Sequence, residues 1–488
     1  MKTYKWKCTI CGETVEGAEP PKSCPVCGVG AEMFVKEDVK EAADAADIYK
    51  WQCTICGEIV EGAEPPKSCP VCGVGAEMFV KIEGGTGAQK EKFGQKEKIV
   101  IIGASAAAIS AAGEIRKRDT ESDVILVSRE DVKGYFRPQL SKLLSNDSVT
   151  IESISIKKDK WFEDNRITLL LNKTAEKIDT ENKKVIFADG SQMDYTKLII
   201  ASGAEVFVPP FPGRDKEGVF TLRHAKDGRA IKEYSKGRKT GAVIGGGILG
   251  LEAANELKNL GLSVTVIEVA DRILPRQLDE DASRILEEIV KGAGITFKKG
   301  VGTKEIVGDN KVSGILLDDG EIVDAEVVIV STGVKANSGI AEGCGIEIKR
   351  AIVVNDKMET SVPGVYACGD CAEYAGINYA LWSEALEQGK AAGINAAGGE
   401  AAYKTIVPST TLNAFGTKVF SIGDVGSDPN VEYEIYEEFN GTNYRKLYFK
   451  NNALSGGILI GDTSKTVALM DGFEKGKTME EMIEKIKS

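Results

Sequence analysis

Eight cysteines crowded into the first 72 residues constrain this chain more than any other feature. They form two sets, Cys8, Cys11, Cys24 and Cys27, then Cys53, Cys56, Cys69 and Cys72. Each set reads C-x2-C, twelve intervening residues, C-x2-C. Two such knuckles facing each other place four thiolates around one tetrahedral ion. A disulfide framework is the weaker reading, because the start, MKTYKWKC, has no apolar stretch of the kind that directs export. A cytoplasmic location is therefore expected, and a reducing cytosol keeps thiols free to bind metal. Tetrahedral sulfur ligation suits zinc and iron alike, so spacing alone leaves the metal open.

The two sets belong to an internal repeat. Residues 4–36 and 49–81 align at an offset of 45, with 31 of 33 positions identical; only Lys7/Gln52 and Thr14/Ile59 differ. A unit this short buries too little apolar surface to fold on its core alone, so bound metal must supply much of its stability. Tyr4, Trp6 and Phe34, with their copies Tyr49, Trp51 and Phe79, are the expected aromatic core. Modules are expected at 1–36 and 49–81. Tethers are expected at 37–48, acidic and Ala-rich, and at 82–97, rich in Gly, Lys and Glu. Flexible tethers of that size reach roughly 20 Å, enough for both modules to visit one surface of the larger domains beyond residue 97.

The whole chain of 488 residues is too long for one core, and roughly one domain per 100–200 residues gives three to five. Its net charge of −12 argues against nucleic acid or an anionic membrane as partner, and no apolar run approaches the roughly 20 residues that span a bilayer. A single histidine, His224, excludes multi-His metal sites. It reads as a structural or surface residue.

From residue 98 the pattern alternates strand and helix. The apolar strand Ile99–Ile102 runs into Gly103-Ala-Ser105-Ala-Ala-Ala108, an Ala-rich helix, and the strand Val124–Val127. This is a βαβ dinucleotide unit with Ser105 where a second glycine usually lies and Ala108 at the third position. Glu130, past the second strand, is placed to bond an adenosine ribose. A cleaner copy lies downstream: strand Ala242–Ile244, then Gly245-Gly-Gly247-Ile-Leu-Gly250, a helix, and a strand ending at Glu268. Its glycines allow a tight turn, close approach to phosphate, and close helix packing, with the pyrophosphate at the helix N-terminus. Glu268 would accept from a ribose 2′-hydroxyl and repel a 2′-phosphate, which favours NADH over NADPH. Two nucleotide folds in one chain suggest a flavin and a nicotinamide.

The knuckle strings Y-K-W-K-C-T-I-C-G and C-P-V-C-G resemble rubredoxin, in the short form found in rubrerythrins, which implies one four-cysteine iron per module. The strand ends Ile199–Gly203 and Val328–Gly333, the segment Thr360–Asp370 and the string Arg137-Pro-Gln-Leu-Ser141-Lys142 resemble the NADH:rubredoxin oxidoreductase family of FAD-dependent pyridine nucleotide-disulfide oxidoreductases. That resemblance runs from Lys98 to the C-terminus. It implies that Asp370 binds the ribityl chain, that Arg137 and Lys142 contact FAD with Lys142 near the isoalloxazine, and that Glu252 lies at the flavin–nicotinamide junction. Lys142 and Glu252 are thus the expected catalytic residues. Trp382 would cover the ring or pack in the core. No cysteine falls between Cys72 and Cys344, so reduction of disulfide, peroxide or persulfide through a protein thiol is not expected. Cys368 and Cys371 read as small packing residues rather than a redox pair.

The expected fold class is α/β. Two Rossmann-like domains bind FAD (98–212 and 326–400) and NAD (213–325), with a small α+β interface domain at 401–488 and the two rubredoxin-like β modules in front. The resemblance implies a reductase that passes electrons from NADH through FAD to its own iron centres. Rubrerythrin, a flavodiiron protein or superoxide reductase would be the acceptor, in an anaerobe's oxygen or peroxide defence. The alternative is an NADH oxidase whose modules hold structural zinc for docking or regulation. Hydride carries two electrons and each iron takes one, so two modules match one hydride; recent duplication without selection is the plainer account.

Overall fold

The structure, a computed structural model, describes residues 4–8, 14–23, 31, 34–37, 49–55, 57–71, 74–82, 96–441 and 443–487. Nearly all of both tethers lies outside the described residues, as do Cys11, Cys24, Cys27, Cys56, Cys72 and the side chain of Cys8. Two compact units are present. One holds Met1–Trp51, Val60–Pro65 and Lys81–Gly84; the other holds Gln52–Ile59, Pro66–Val80 and Gly85–Ser488.

In the smaller unit the strands Tyr4–Cys8, Thr14–Gly17 and Phe34–Glu37 form an antiparallel sheet with Tyr4–Cys8 in the middle. Trp6 Nε1 donates to the Gly17 carbonyl at 3.2 Å, and Trp51 Nε1 donates to the Gly62 carbonyl at 3.0 Å, so the repeat in sequence is a repeat in geometry. Phe34 is the buried centre, with Trp6 and Val15 packed on it. Among the described residues that core is small, as a module that leans on bound metal would have.

The larger unit contains two parallel five-stranded sheets. The first has the order Val365–Ala367, Lys197–Ile200, Lys98–Ile102, Asp123–Val127, Ile167–Leu170. The second has the order Val219–Thr221, Val327–Val330, Thr240–Ile244, Ser263–Glu268, Ile295–Lys299. Their central strands are apolar on both faces, as helices on both sides require. Val327–Val330 pairs inside the second sheet, so the chain returns to the first domain after this strand, not at 326 as the sequence suggests. An antiparallel pair, Ala204–Val206 with Val334–Ala336, carries the two crossings between domains.

Four helices matter for the site: α1 (Ala106–Arg118), α2 (Ile248–Asn259), α3 (Trp382–Ala396) and α4 (Thr466–Glu474). Helices α1 and α3 lie against each other through small residues. The buried residues of α1 include Ala106, Ala107, Ala108, Ala111 and Ala112, and α3 presents Gly389 and Gly393 to Ala107 and Ala111. A Cβ at Gly389 would stand 2.3 Å from the Ala107 carbonyl oxygen, and one at Gly393 2.3 Å from that of Ala111.

The C-terminal strands Ser409–Ala414, Thr417–Gly423, Ala453–Ile460, Tyr444–Lys450 and Glu434–Phe439 make an antiparallel sheet in that order. One face packs with Leu469 of α4 and with Met482 and Ile486. The other packs on the second nucleotide domain through Leu412, Tyr444 and Ile458. Among the described residues no helix is long and apolar enough to cross a membrane. Because the atoms facing Gly393 are backbone, Gly393→Val should cost about 1–3 kcal/mol by overpacking. Urea unfolding would show an earlier transition; an unchanged midpoint would mean the two helices can part freely.

Candidate active site

The two fingerprints are built the same way. Gly103 and Gly245 follow the central strands with φ of +130° and +115°, a region that favours glycine. A Cβ on Gly103 would lie 2.2 Å from the Ala201 oxygen, and one on Gly245 would lie 2.2 Å from the Ser331 oxygen. The small-residue strand ends noted in the sequence are therefore the surfaces that close on these glycines. At Gly250 a Cβ would lie 2.0 Å from the Gly245 oxygen, whereas at Gly247 it would meet nothing within 4 Å. Gly250 thus brings α2 close, and Gly247 leaves open space at the helix N-terminus. Neither Ser105 nor Gly247, the N-caps of α1 and α2, makes a side-chain capping bond. The first-turn N–H groups are thereby left to an anion.

One cavity of about 2450 Å³ joins both fingerprints. It exceeds the roughly 300–1,000 Å³ of a single small-ligand pocket, as two dinucleotides would require. Gly103, Ser105, Glu130, Arg137 and Asp370 line it on one side; Gly245, Gly247, Glu252, Glu268 and Trp382 also line it. Ala108 and Gly250 are absent from its wall and serve packing. Glu268 is held by the Gly246 N–H at 2.6 Å and the Ala270 N–H at 2.8 Å, fixed at the end of its strand. Trp382 meets Phe136 edge to face at 4.9 Å between centroids, and its buried Nε1 has no hydrogen-bond partner. An orphaned indole donor on a cavity wall fits a pocket shaped for a polar, planar group.

A charged cluster fixes the first domain's rim. Glu130 accepts from Tyr135 Oη at 2.8 Å and Arg137 Nη2 at 3.1 Å, and lies 3.3 Å from His224 Nδ1. Burial would raise the Glu130 carboxyl, but His224, Arg137 and Tyr135 together hold it far below the usual range. His224 also meets Glu205 at 2.9 Å and is mostly buried, so it is structural and not a surface residue. Asp370 accepts from Arg223 Nη2 at 2.7 Å. Arg223 had no signal in the sequence. Cys368 and Cys371 are fully buried and burial raises both thiols, so they pack as small residues.

Lys142 makes its contacts off the cavity wall. Its ammonium does not line the cavity; it donates to Glu256 at 2.6 Å and to the Asn413 carbonyl at 3.2 Å, drawn there by a carboxylate with almost no solvent exposure. Burial would raise Glu256, yet Lys142 and Ser145 keep it below the ordinary carboxylate range. Glu252, one helical turn earlier on α2, has among the described residues only the Ser141 hydroxyl at 3.4 Å. Burial, partly offset by Lys142 and Ser141, pushes its carboxyl up to about 8. The cavity wall thus carries a carboxyl that is mainly protonated at neutral pH, with the ionised Glu256 one helical turn away and off the wall.

The sign of the resulting pH dependence is definite. Below about pH 4.5 the Glu252 carboxyl is protonated folded or unfolded, and as pH rises towards 8 only the folded state resists its ionisation. Stability is therefore lost across that window. Glu252→Gln should gain thermal stability relative to the parent on going from about pH 5 to about pH 9. A pH-independent difference would contradict the assignment.

In the second module Cys53 and Cys69 are buried. Each opens a turn: the Cys53 carbonyl accepts from Gly57 N–H at 2.9 Å, and Cys69 N–H donates to Val74 at 2.7 Å. Buried thiols at knuckle turns suit a metal held by sulfur. Thr54 and Ile55, the tip of the first knuckle, line the large cavity together with the fingerprints.

Comparison with known proteins agrees with this anatomy. The pyridine nucleotide-disulphide oxidoreductase family matches residues 97–389, the rubredoxin NAD+ reductase C-terminal domain matches 408–477, and the rubrerythrin rubredoxin-like domain matches both 6–35 and 51–80. The chain is 38% identical over 383 residues to a nitrite reductase [NAD(P)H] of Bacillus subtilis; the match takes in 78% of this chain but only 47% of that larger relative. It is 33% identical to the NADH-rubredoxin oxidoreductase of Clostridium acetobutylicum, covering 78% of this chain and 96% of the relative. The crystal structure of the NADH:rubredoxin oxidoreductase from that organism superposes with a TM-score of 0.66 at 31% identity, over 79% of this chain and 97% of the other. With two dinucleotide folds facing one cavity and a matching C-terminal domain, the chain belongs to the FAD-dependent pyridine nucleotide-disulphide oxidoreductase family.

Proposed function

We propose that this protein is an NADH:rubredoxin-type reductase fused to its own acceptors, drawing electrons from NADH and delivering them to iron in its rubredoxin-like modules. The observation that carries this reading is the presence of Thr54 and Ile55, between two cysteines of a four-cysteine set, on the wall of the cavity that joins the two fingerprints. A metal held by Cys53 would lie beside the two residues that line that cavity.

The residues divide the work. The open space at Gly247 and the free N–H groups of α2 hold the NADH pyrophosphate, and Glu268 takes the ribose while rejecting a 2′-phosphate. Gly103, Ser105 and α1 do the same for FAD. Glu130, tied into the Arg137–Tyr135–His224 cluster, orders the rim around the adenosine, and Asp370 sits at the ribityl. Bound FAD supplies the conversion from a two-electron donor to one-electron deliveries. Protonated Glu252 brings no second negative charge to the junction, and Lys142 acts by fixing Glu256 in place. Each four-cysteine set holds one iron, and the onward acceptor is a redox protein such as rubrerythrin, a flavodiiron protein or superoxide reductase, in oxygen or peroxide defence.

Replacing one ligand in each module, Cys8→Ser with Cys53→Ser, tests this against the oxidase reading. NADH-dependent reduction of ferricyanide should persist, whereas reduction of a protein one-electron acceptor such as cytochrome c should fall by more than tenfold, about 1.4 kcal/mol in barrier terms. If both rates survive and oxygen consumption is unchanged, the modules are not in the electron path.

A further inference from the structure

Among the described residues the second module meets the reductase at several points. Lys157 Nζ pairs with Glu58 Oε2 at 3.4 Å, both partly buried. A Cβ at Gly57 would lie 3.5 Å from Leu386 Cδ1, so the knuckle backbone rests against α3, the helix that carries Trp382. The short helical turn Ala76–Met78 packs against α4 of the C-terminal domain. Ile55 and Thr54 then point the knuckle tip at the cavity. Among the described residues these contacts include one basic side chain, one apolar side chain and one helix.

The docking positions on the module are Thr54, Ile55, Gly57, Glu58 and Ala76–Met78, and the 33-residue repeat is identical at every one of them. Its two differences fall elsewhere, at Lys7/Gln52 and Thr14/Ile59. The reductase, in contrast, supplies Lys157, Leu386 and α4 only once. We propose that Lys157, Leu386 and α4 form a single docking site that the two modules occupy in turn. The inference rests on the electron path proposed above. Per turnover, NADH gives NAD⁺, one proton and two electrons, and two ferric irons become ferrous, one at each visit. Duplication then needs no second site on the reductase.

An ion pair at this distance suits zero-length carbodiimide coupling, which joins a carboxylate to the lysine it contacts. The full-length protein is treated at low concentration and the monomer is digested. Peptides carrying Glu13 and Glu58 differ in mass, because residues 14 and 59 are Thr and Ile. Lys157 is expected to be linked to Glu58 in some molecules and to Glu13 in others, with both links suppressed at high salt. Linkage to Glu58 alone would overturn sharing, and linkage to neither would overturn the docking site. Lys157→Glu should slow NADH-driven bleaching of both irons roughly threefold to tenfold, as expected for turning an attractive surface pair into a repulsive one. NADH:ferricyanide activity should stay unchanged. Cross-links at both positions with no bleaching in the parent protein would leave the shared site standing and reject the electron path instead.

Discussion

Everything at the cavity depends on two close approaches of backbone to backbone. Gly103 under Ala201 and Gly245 under Ser331 each bring a strand end to a distance no side chain allows. Each closure turns the chain sharply at the end of a central strand and aims the next helix, α1 or α2, at the same cavity. Larger residues at either glycine would push the strand end away and spoil both the sheet edge and the phosphate cradle. The alanine face of α1 and the glycines of α3 extend the same logic, since they let the helix bearing Trp382 lie close to the first fingerprint.

Electrostatics then set the character of the site. The chain carries a net charge of −12, yet its acidic residues at the cavity are handled individually. Glu130 is ionised and clamped by Arg137, Tyr135 and His224; Asp370 is paired with Arg223; Glu256 is paired with Lys142. Glu252 is left without a cation of its own and keeps its proton, with a carboxyl near 8. A site that must admit an anionic dinucleotide between these carboxylates gains from having one of them neutral.

Much of this is legible in the sequence, and the exceptions have physical causes. Fingerprints, apolar parallel strands and knuckles are local patterns, because glycine spacing, runs such as Ile99–Ile102 and C-x2-C each encode their own geometry. Long-range partners are not local. Nothing near Arg223 announces Asp370, 147 residues away. Lys142 pairs with Glu256, 114 residues on. That partner has a faint signal, as Glu252 and Glu256 share one face of α2 at i, i+4. In the C-terminal domain the strands Ser409–Ala414 and Ala453–Ile460 leave little mark in the sequence. The first is rich in Thr and Ser and the second carries Gly456 and Gly457, compositions that mask strand periodicity. The sequence puts Val327–Val330 beyond the domain boundary because an apolar strand does not reveal which parallel sheet it joins.

Whether electrons from NADH reach metal in the modules is decided by an anaerobic NADH titration of the full-length protein, followed by visible absorption with iron, zinc and flavin analysis alongside. One iron is expected for each four-cysteine set, with ferric–thiolate bands that bleach at one NADH for every two irons beyond what the flavin consumes. Flavin reduced while ferric bands persist, or zinc filling the sites after iron-replete expression, would contradict electron delivery to the modules.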